Sequence, residues 1–406
     1  MSIAILSLLK PGKTGCFLIL LCFSFGLFSP LDLAGQNQPH ENLRVGHFHT
    51  EEQAAELLRT FRASYPDLEL WQIKAEKVRS GILNGANLNP FPEKTPLNAI
   101  RSNRREFDGY VVENVAFESL PGVFVTASVY SPSDLDGPVP GILSFHGHWN
   151  RPEDYGRFRE DAQKRCAALA RMGAIVLSVD MVGYGETTEW GWTHSHAEVL
   201  RLQLWNTIRA TDFLLELDHV DPERIAAIGA SGGATQTFLL SAIDDRIAVS
   251  VPVVQISAHF YGGCGCESGM PIHESDRHET NNVEIAALAA PRPMLMVSCG
   301  GDWTKNTPEV EFPHVQYIYG LFSKVNNIKN VHFPDERHGF GFSKRKAVYP
   351  FLARHLNLDI LRIMDAFGNI TEEGIEIEPF DAFRVFGKEN PPPPHTVKTN
   401  DLVVWD

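Results

Sequence analysis

The sequence has little of what draws a protein to nucleic acid or to an anionic membrane. Its 36 Lys and Arg are outnumbered by 50 Asp and Glu, and the formal net charge is -14. Nowhere do the basic residues gather into a stripe, so phosphate backbones and acidic lipid surfaces are poor partners. Cysteine is scarce too, with 6 in 406 residues. Cys16 and Cys22 fall in an apolar leader, which leaves Cys166, Cys264, Cys266 and Cys299. A chain of this size builds a core without disulfides. Four thiols allow three full pairings, and the sequence does not choose among them. There is no internal repeat, and Pro391 to Pro394 is only a short stiff spacer. With 43% hydrophobic and 21% charged residues, the composition excludes a disordered chain.

What is present begins with a targeting pattern. Lys10 and Lys13 precede an apolar run from Gly15 to Leu27, and Ser29-Pro30 and Ala34-Gly35 follow it. Residues 1–35 therefore read as a secretory signal peptide, whose apolar stretch is short for a membrane span. The expected location is periplasmic or secreted. An uncleaved anchor is the other reading of the same segment. Leu20-Leu21 before Cys22 disfavours lipid attachment there.

Residues 36–107 form an N-terminal segment. It opens with a polar leader over 36–48, expected to be flexible. Two helical stretches follow, one from Thr50-Glu51-Glu52 with Ala54, Leu57, Leu58 and Phe61 at helix spacing, the other from about Leu68 to Leu83. Asn84 to Pro96 is rich in turn residues and reads as a loop. From Tyr110 the period changes to two. Tyr110–Phe117 and Val123–Tyr130 flank Leu120-Pro121-Gly122, an antiparallel hairpin signal. Gly141–Phe145, Ala174–Val179, Ile225–Ile228, Ile247–Val251 and Met294–Val297 are then almost continuously apolar, as strands buried on both faces must be. Helical patterns separate them, and Ser195-His196-Ala197-Glu198 reads as a capping box opening one helix. The class is α/β, a mostly parallel central sheet with helices on both faces and an antiparallel N-terminal hairpin. The catalytic domain is expected over 108–358. The extension 359–406 has no functional reading. Asn369-Ile370-Thr371 matches a glycosylation sequon that matters only in a eukaryotic secretory route.

Gly229-Ala230-Ser231-Gly232-Gly233 fits G-x-S-x-G. The bare pattern is weak, but here it follows a buried strand and precedes a helical run, the setting of a nucleophile elbow. An ordinary Gly-Ser turn is the bland alternative. A serine hydroxyl needs a base, and in this arrangement the chain order is serine, acid, histidine. His338, in Arg337-His338-Gly339-Phe340, follows the apolar stretch Val331–Phe333 and is the candidate base. His332 lies within that stretch and reads as structural. Asp302 follows Met294–Val297 in Cys299-Gly300-Gly301-Asp302 and would orient the imidazole. Asp335 and Glu336 are rivals for this role, but they sit so close to His338 in sequence that reaching its ring is awkward. An oxyanion needs two backbone donors. The amide of Gly232 is one, and that of His148, in Phe145-His146-Gly147-His148 after an earlier strand, is the other. The side chains of His146 and His148 need no role in this scheme.

On these motifs, with Val179-Asp180-Met181-Val182-Gly183-Tyr184-Gly185-Glu186 added, residues 108 to 358 resemble the bacterial acetyl xylan esterase-like branch of the α/β hydrolases. That branch is close to cephalosporin C deacetylases and dienelactone-hydrolase-like proteins. The resemblance implies an α/β-hydrolase fold and removal of acetyl or other small acyl groups, without metal or organic cofactor. Relatives in the branch often carry Tyr after His-Gly, where this chain has His148; a backbone donor tolerates the change.

Trp190 and Trp192 lie in a loop after the fourth expected strand, and Tyr261 in an insertion after the sixth. With Trp303 they are candidates for stacking on sugar rings, since loops at the carboxyl ends of strands line the pocket in such sheets. Core packing is the equal alternative. Cys264-Gly265-Cys266 lacks a matching second pair, so no metal is expected there; a local disulfide or a pair of free thiols is expected instead. The function expected is an exported serine esterase acting on a small-molecule or polysaccharide ester. A prolyl-oligopeptidase-type peptidase would share the triad order, but too little chain precedes the hairpin for a propeller. A catalytically silent glycan-binding relative is the third reading, and the intact triad positions argue against it.

Overall fold

The computed structural model describes residues 42–148 and 156–405. The expected signal segment, and Trp149 beside His148, lie outside them. Two helices open the described chain, α1 (Glu51–Ser64) and α2 (Leu68–Gly85). The Thr50 hydroxyl and the Gln53 side chain cap α1 reciprocally, and Asp67 caps α2. Their apolar faces, including Leu58, Phe61, Trp71 and Ile82, join the main core.

Nine strands form a single sheet: β1 (Ile100–Phe107), β2 (Tyr110–Leu120), β3 (Val123–Pro132), β4 (Val139–Phe145), β5 (Ile175–Val179), β6 (Val220–Ala230), β7 (Val249–Val253), β8 (Met294–Gly301) and β9 (Ile328–Arg337). Their order is β1-β2-β3-β5-β4-β6-β7-β8-β9. β1, β2 and β3 pair antiparallel, β3 meets β5 antiparallel, and the pairs from β5 to β9 are parallel. The expected hairpin is β2–β3, and each expected buried run is a parallel strand. β1 is an addition, an edge strand in the segment read as helical.

The sheet is covered by α3 (Glu160–Arg171), α4 (Val199–Glu216), α5 (Gly232–Ile243), a one-turn α6 (Gly265–Ser268), α7 (Asn282–Ala287), α8 (Glu311–Leu321) and α9 (Phe342–Leu356). They divide the interior into two large apolar clusters, one holding α1, α2, α4 and α8, the other α3 and α9. The expected capping box at Ser195 does not form. α4 starts at Val199, after Glu198, with no side-chain cap bond.

The leader is not loose where it is described. Arg44 is buried and its guanidinium meets Glu274 at 3.1 Å and Glu279 at 2.6 Å. The backbone of Gly46 exchanges hydrogen bonds with Gly262 and Tyr261 at 2.8 and 2.9 Å. At the other end, residues 359–405 run over the domain as turns and short 3-10 segments. They insert Phe383, Val385 and Phe386 as buried side chains.

Candidate active site

Ser231 stands between β6 and α5 with φ +56° and ψ -126°, the left-handed half of backbone space that residues with a Cβ avoid. Its N–H donates to the Val253 carbonyl at 3.0 Å, and its own carbonyl accepts from Ala234 and Thr235, starting the helix. The turn closes only because its neighbours lack side chains. A Cβ on Gly229 would lie 2.3 Å from the Gly233 carbonyl oxygen, and one on Gly233 would lie 2.5 Å from that of Phe145. A Cβ on Gly232 would strike the His148 ring at 2.2 Å. The Gly232 amide therefore opens α5 at its positive end, where N–H groups have no partner within the helix, and the loop carrying His148 packs directly on it.

Asp302 follows β8 and faces His338, which follows β9. The His338 Nδ1 lies 2.7 Å from Asp302 Oδ2. The carboxylate can only accept, so Nδ1 holds the proton and Nε2 is left as the basic nitrogen. The Asp302 side chain is only 2% exposed, against 27% for His338. Burial opposes its charge. Hydrogen bonds from His338, from the Thr304 hydroxyl and amide and from the Cys299 thiol outweigh that, and its pKa lies below the ordinary value. Burial and the bond to Asp302 in turn push the Cys299 thiol up to about 12, so it stays a donor, 3.1 Å from Oδ2. Cys299 and Thr304, three residues before and two after Asp302, are donors to its carboxylate that the sequence pattern does not reveal. Of the rivals, Glu336 pairs with Lys344, and His332 lies within β9, 2.9 Å from the Ser298 hydroxyl.

His146 is a packing residue. Its Nε2 accepts from the Met181 amide at 3.0 Å and its Nδ1 lies 2.8 Å from the Gly147 carbonyl. Burial lowers its pKa to about 4, so the ring is neutral. Asp180 binds the Arg157 guanidinium and the Thr126 hydroxyl, and the Glu186 carboxylate accepts from the Val385 and Phe386 amides at 2.9 Å. This buried set anchors the loop after β5 to the C-terminal extension.

The four aromatic candidates divide. Trp192 is buried and its indole N–H donates to the Val397 carbonyl at 2.9 Å. Tyr261 is fully buried, with its ring edge-on to His273. Trp190 packs on Phe386, centroids 5.2 Å apart. For Trp192 and Tyr261 the packing alternative holds, and Trp190 is partly buried against the C-terminal extension; that extension and the ordered leader supply the contacts that sequence left open. Trp303 alone adjoins the chemistry. It is half-buried between Phe260, stacked at 4.1 Å, and His338, tilted at 4.6 Å.

All four described cysteines are free, so Cys264 and Cys266 are a pair of free thiols, one of the two states open from sequence. Cys264 and Cys266 do find a second pair, in His148 and His194 from two other loops, with all four ligand atoms within 4.8 Å of one another.

The acetyl xylan esterase family model matches residues 93–262. Methylesterase BT1017, a solved structure, is 38% identical, superposes with a TM-score of 0.79, and the alignment spans 87% of this chain and 78% of that one. The chain belongs to the same family of α/β-hydrolase esterases as this methylesterase. YtaP of Bacillus subtilis (strain 168), which carries the name of a hydrolase, is 24% identical over 241 residues, 51% of this chain and 75% of its own length. A glucuronoyl esterase from Solibacter usitatus shares the fold at 16% identity and TM-score 0.53, covering 71% of this chain and 94% of its own. Both solved structures carry the names of esterases, and the described residues of this chain form a nine-stranded sheet whose N-terminal strands are antiparallel.

Proposed function

We propose that the protein is an exported serine esterase that removes a small ester group from carbohydrate through Ser231, His338 and Asp302. The observation that carries this is the 2.7 Å contact between a buried Asp302 and His338, at the same sheet end as a serine held at φ +56°. Ser231 Oγ attacks the ester carbonyl while His338 Nε2 takes its proton. The Gly232 and His148 amides receive the oxyanion. His338 returns the proton to the departing alcohol, leaving an acyl-Ser231 that water, deprotonated by His338, hydrolyses. No step calls for a cofactor. The leader of residues 1–35 supports export.

Two ester chemistries compete. The 38% identity to a methylesterase across 87% of the chain favours a methyl ester. Methanol would leave, and the acyl part would be a sugar carboxylate. The family model, over 93–262, favours the acetyl ester expected from sequence, where the sugar is the alcohol. We take the methyl ester as the leading reading, because that likeness covers 87% of the chain, whereas the family model matches only residues 93–262. The test is product release by the chain lacking residues 1–35, from methyl-esterified polyuronate and from acetylated xylan, with Ser231→Ala as control. Methanol from the first, absent in the variant, is the expected result. Acetate from the second would select the acetyl reading. Neither, with turnover of a small activated acetate ester retained, would remove both polymers and keep the serine esterase.

A further inference from the structure

We propose that His148, His194, Cys264 and Cys266 form a structural zinc site that clamps the loops around Ser231. The four come from three places in the fold: His148 after β4, His194 after β5, and the two cysteines at α6, in the insertion after β7. His148 Nε2 lies 2.9 Å from His194 Nε2, 3.1 Å from Cys266 Sγ and 3.3 Å from Cys264 Sγ. Cys264 Sγ lies 3.6 Å from His194 Nε2 and 2.9 Å from Cys266 Sγ. Ligand atoms at zinc's usual bond lengths of about 2.0–2.3 Å sit about 3.3–3.8 Å apart at the corners of a tetrahedron. The three nitrogen–sulfur spacings of 3.1, 3.3 and 3.6 Å fall within about 0.4 Å of that range, the nitrogen–nitrogen spacing of 2.9 Å is about 0.4 Å short of it, and the sulfur–sulfur spacing of 2.9 Å is about 0.9 Å short, so the two sulfurs must part when the ion enters.

Protons alone serve this arrangement poorly. His194 Nδ1 is 2.6 Å from the Val182 carbonyl oxygen, which only accepts. Nδ1 therefore bears the proton, and Nε2 presents a lone pair to the cluster. With neutral imidazoles, the protons available are one on His148 Nε2 and one on each thiol. That is three protons for the five close contacts. A single cation at the centre replaces all five with four bonds. The carbonyl behind His194 is also the outer partner that orients a ligating imidazole. Buried Glu267 braces the cysteine loop in the same way, accepting from the Gly263 amide at 2.6 Å, Gln255 at 2.9 Å and the Thr235 hydroxyl at 3.1 Å. The donor set, two sulfurs and two imidazole nitrogens, suits zinc. Binding converts both thiols to thiolates and releases their protons.

Four protein ligands fill the coordination shell, so such an ion takes no substrate. Its action is positional. The His148 ring lies against Gly232, so fixing that ring fixes the loop whose amide is assigned to the oxyanion. Metal binding itself does not depend on the esterase reading.

The test is zinc content of the chain lacking residues 1–35, purified without a metal-affinity step and dialysed against zinc and then zinc-free buffer. About one zinc per chain is expected, falling below about one tenth of that in Cys264→Ser and in His194→Ala. Because the variants risk misfolding, the wild-type chain is also stripped with a chelator and loaded with cobalt. Thiolate-to-cobalt absorption and a tetrahedral visible band are expected. Fluorophosphonate labelling of Ser231, measured on the same samples, reports the esterase reading separately. Zinc-free wild-type protein with both thiols open to a thiol reagent would overturn the proposal. So would a mass lighter by two hydrogens that peptide mapping places between Cys264 and Cys266, which marks a disulfide there.

Discussion

Removal of the Ser231 hydroxyl should abolish turnover while leaving the fold intact, because the side chain makes none of the described hydrogen bonds that hold the elbow; only its backbone does. Asp302 should behave differently. An Asn there keeps the shape but offers an amide where His338 needs an acceptor, and kcat should fall by about 10⁴-fold. The same residue predicts a pH dependence of stability. Its folded pKa lies below the ordinary value, so in the window beneath the unfolded value of about 3.9 the unfolded chain binds more protons. The contribution is present in full above that value and is lost as pH falls through the folded one. Urea unfolding of wild type and Asp302→Asn over a pH series should show a gap that is constant above about pH 5 and narrows below about pH 4. A gap widening on acidification would contradict the role given to Cys299 and Thr304. Much of this residue-level picture was legible in sequence, since the elbow and the order serine, acid, histidine are local patterns. The Cys299 bond was not, because a thiol three residues before a carboxylate says nothing about which way either points.

At the scale of elements, the elbow carries the sharpest test. Gly233→Ala puts a Cβ 2.5 Å from the Phe145 carbonyl, a backbone atom with no freedom to retreat. It should cost about 2–3 kcal/mol of stability, read as a lowered denaturation midpoint. Gly339→Ala meets no atom within 4 Å but carries φ +137°, so its effect should come from strain alone and be smaller, about 1 kcal/mol. The buried strands were visible in sequence because burial on both faces writes an unbroken apolar run. β1 was not, because Ile-Arg-Ser-Asn-Arg-Arg-Glu-Phe lies at the sheet edge with only half its residues partly covered. The capping-box pattern at Ser195 failed for a different reason. There Thr193 and His194 are held by Asn400 and Val182, and tertiary contacts delay the helix to Val199. The thiol and imidazole cluster was invisible for a reason of topology. His148 is separated by 46 residues from His194 and by 116 from Cys264, a spacing that no local motif contains.

The whole molecule is a hydrolase domain strapped at both ends. The extension beyond 358 reaches across the fold: Arg345 pairs with Glu372, Val397 bonds to Gly122 at 2.8 Å, and Trp192 bonds to Val397. It buries Phe383, Val385 and Phe386, each worth about 1.5–3 kcal/mol when withdrawn from water. A chain ending at residue 358 should therefore lose several kcal/mol and leave the Gly122 carbonyl of the β2–β3 turn without its Val397 donor. Circular dichroism melts of the truncated and full chains would test this, and an unchanged midpoint would assign the extension no structural part. The net charge of -14 adds a constraint on substrate: an acidic polymer must approach against repulsion, so turnover of methyl-esterified polyuronate should rise with its degree of esterification, and a reverse trend would argue for the acetyl ester. The central claim, that Ser231 is the nucleophile, is tested most directly by peptide mass analysis of the fluorophosphonate-treated chain. One adduct, on the peptide containing Ser231, with activity lost in proportion, is the predicted result. An adduct on another serine, or full inhibition with Ser231 unmodified, would contradict it.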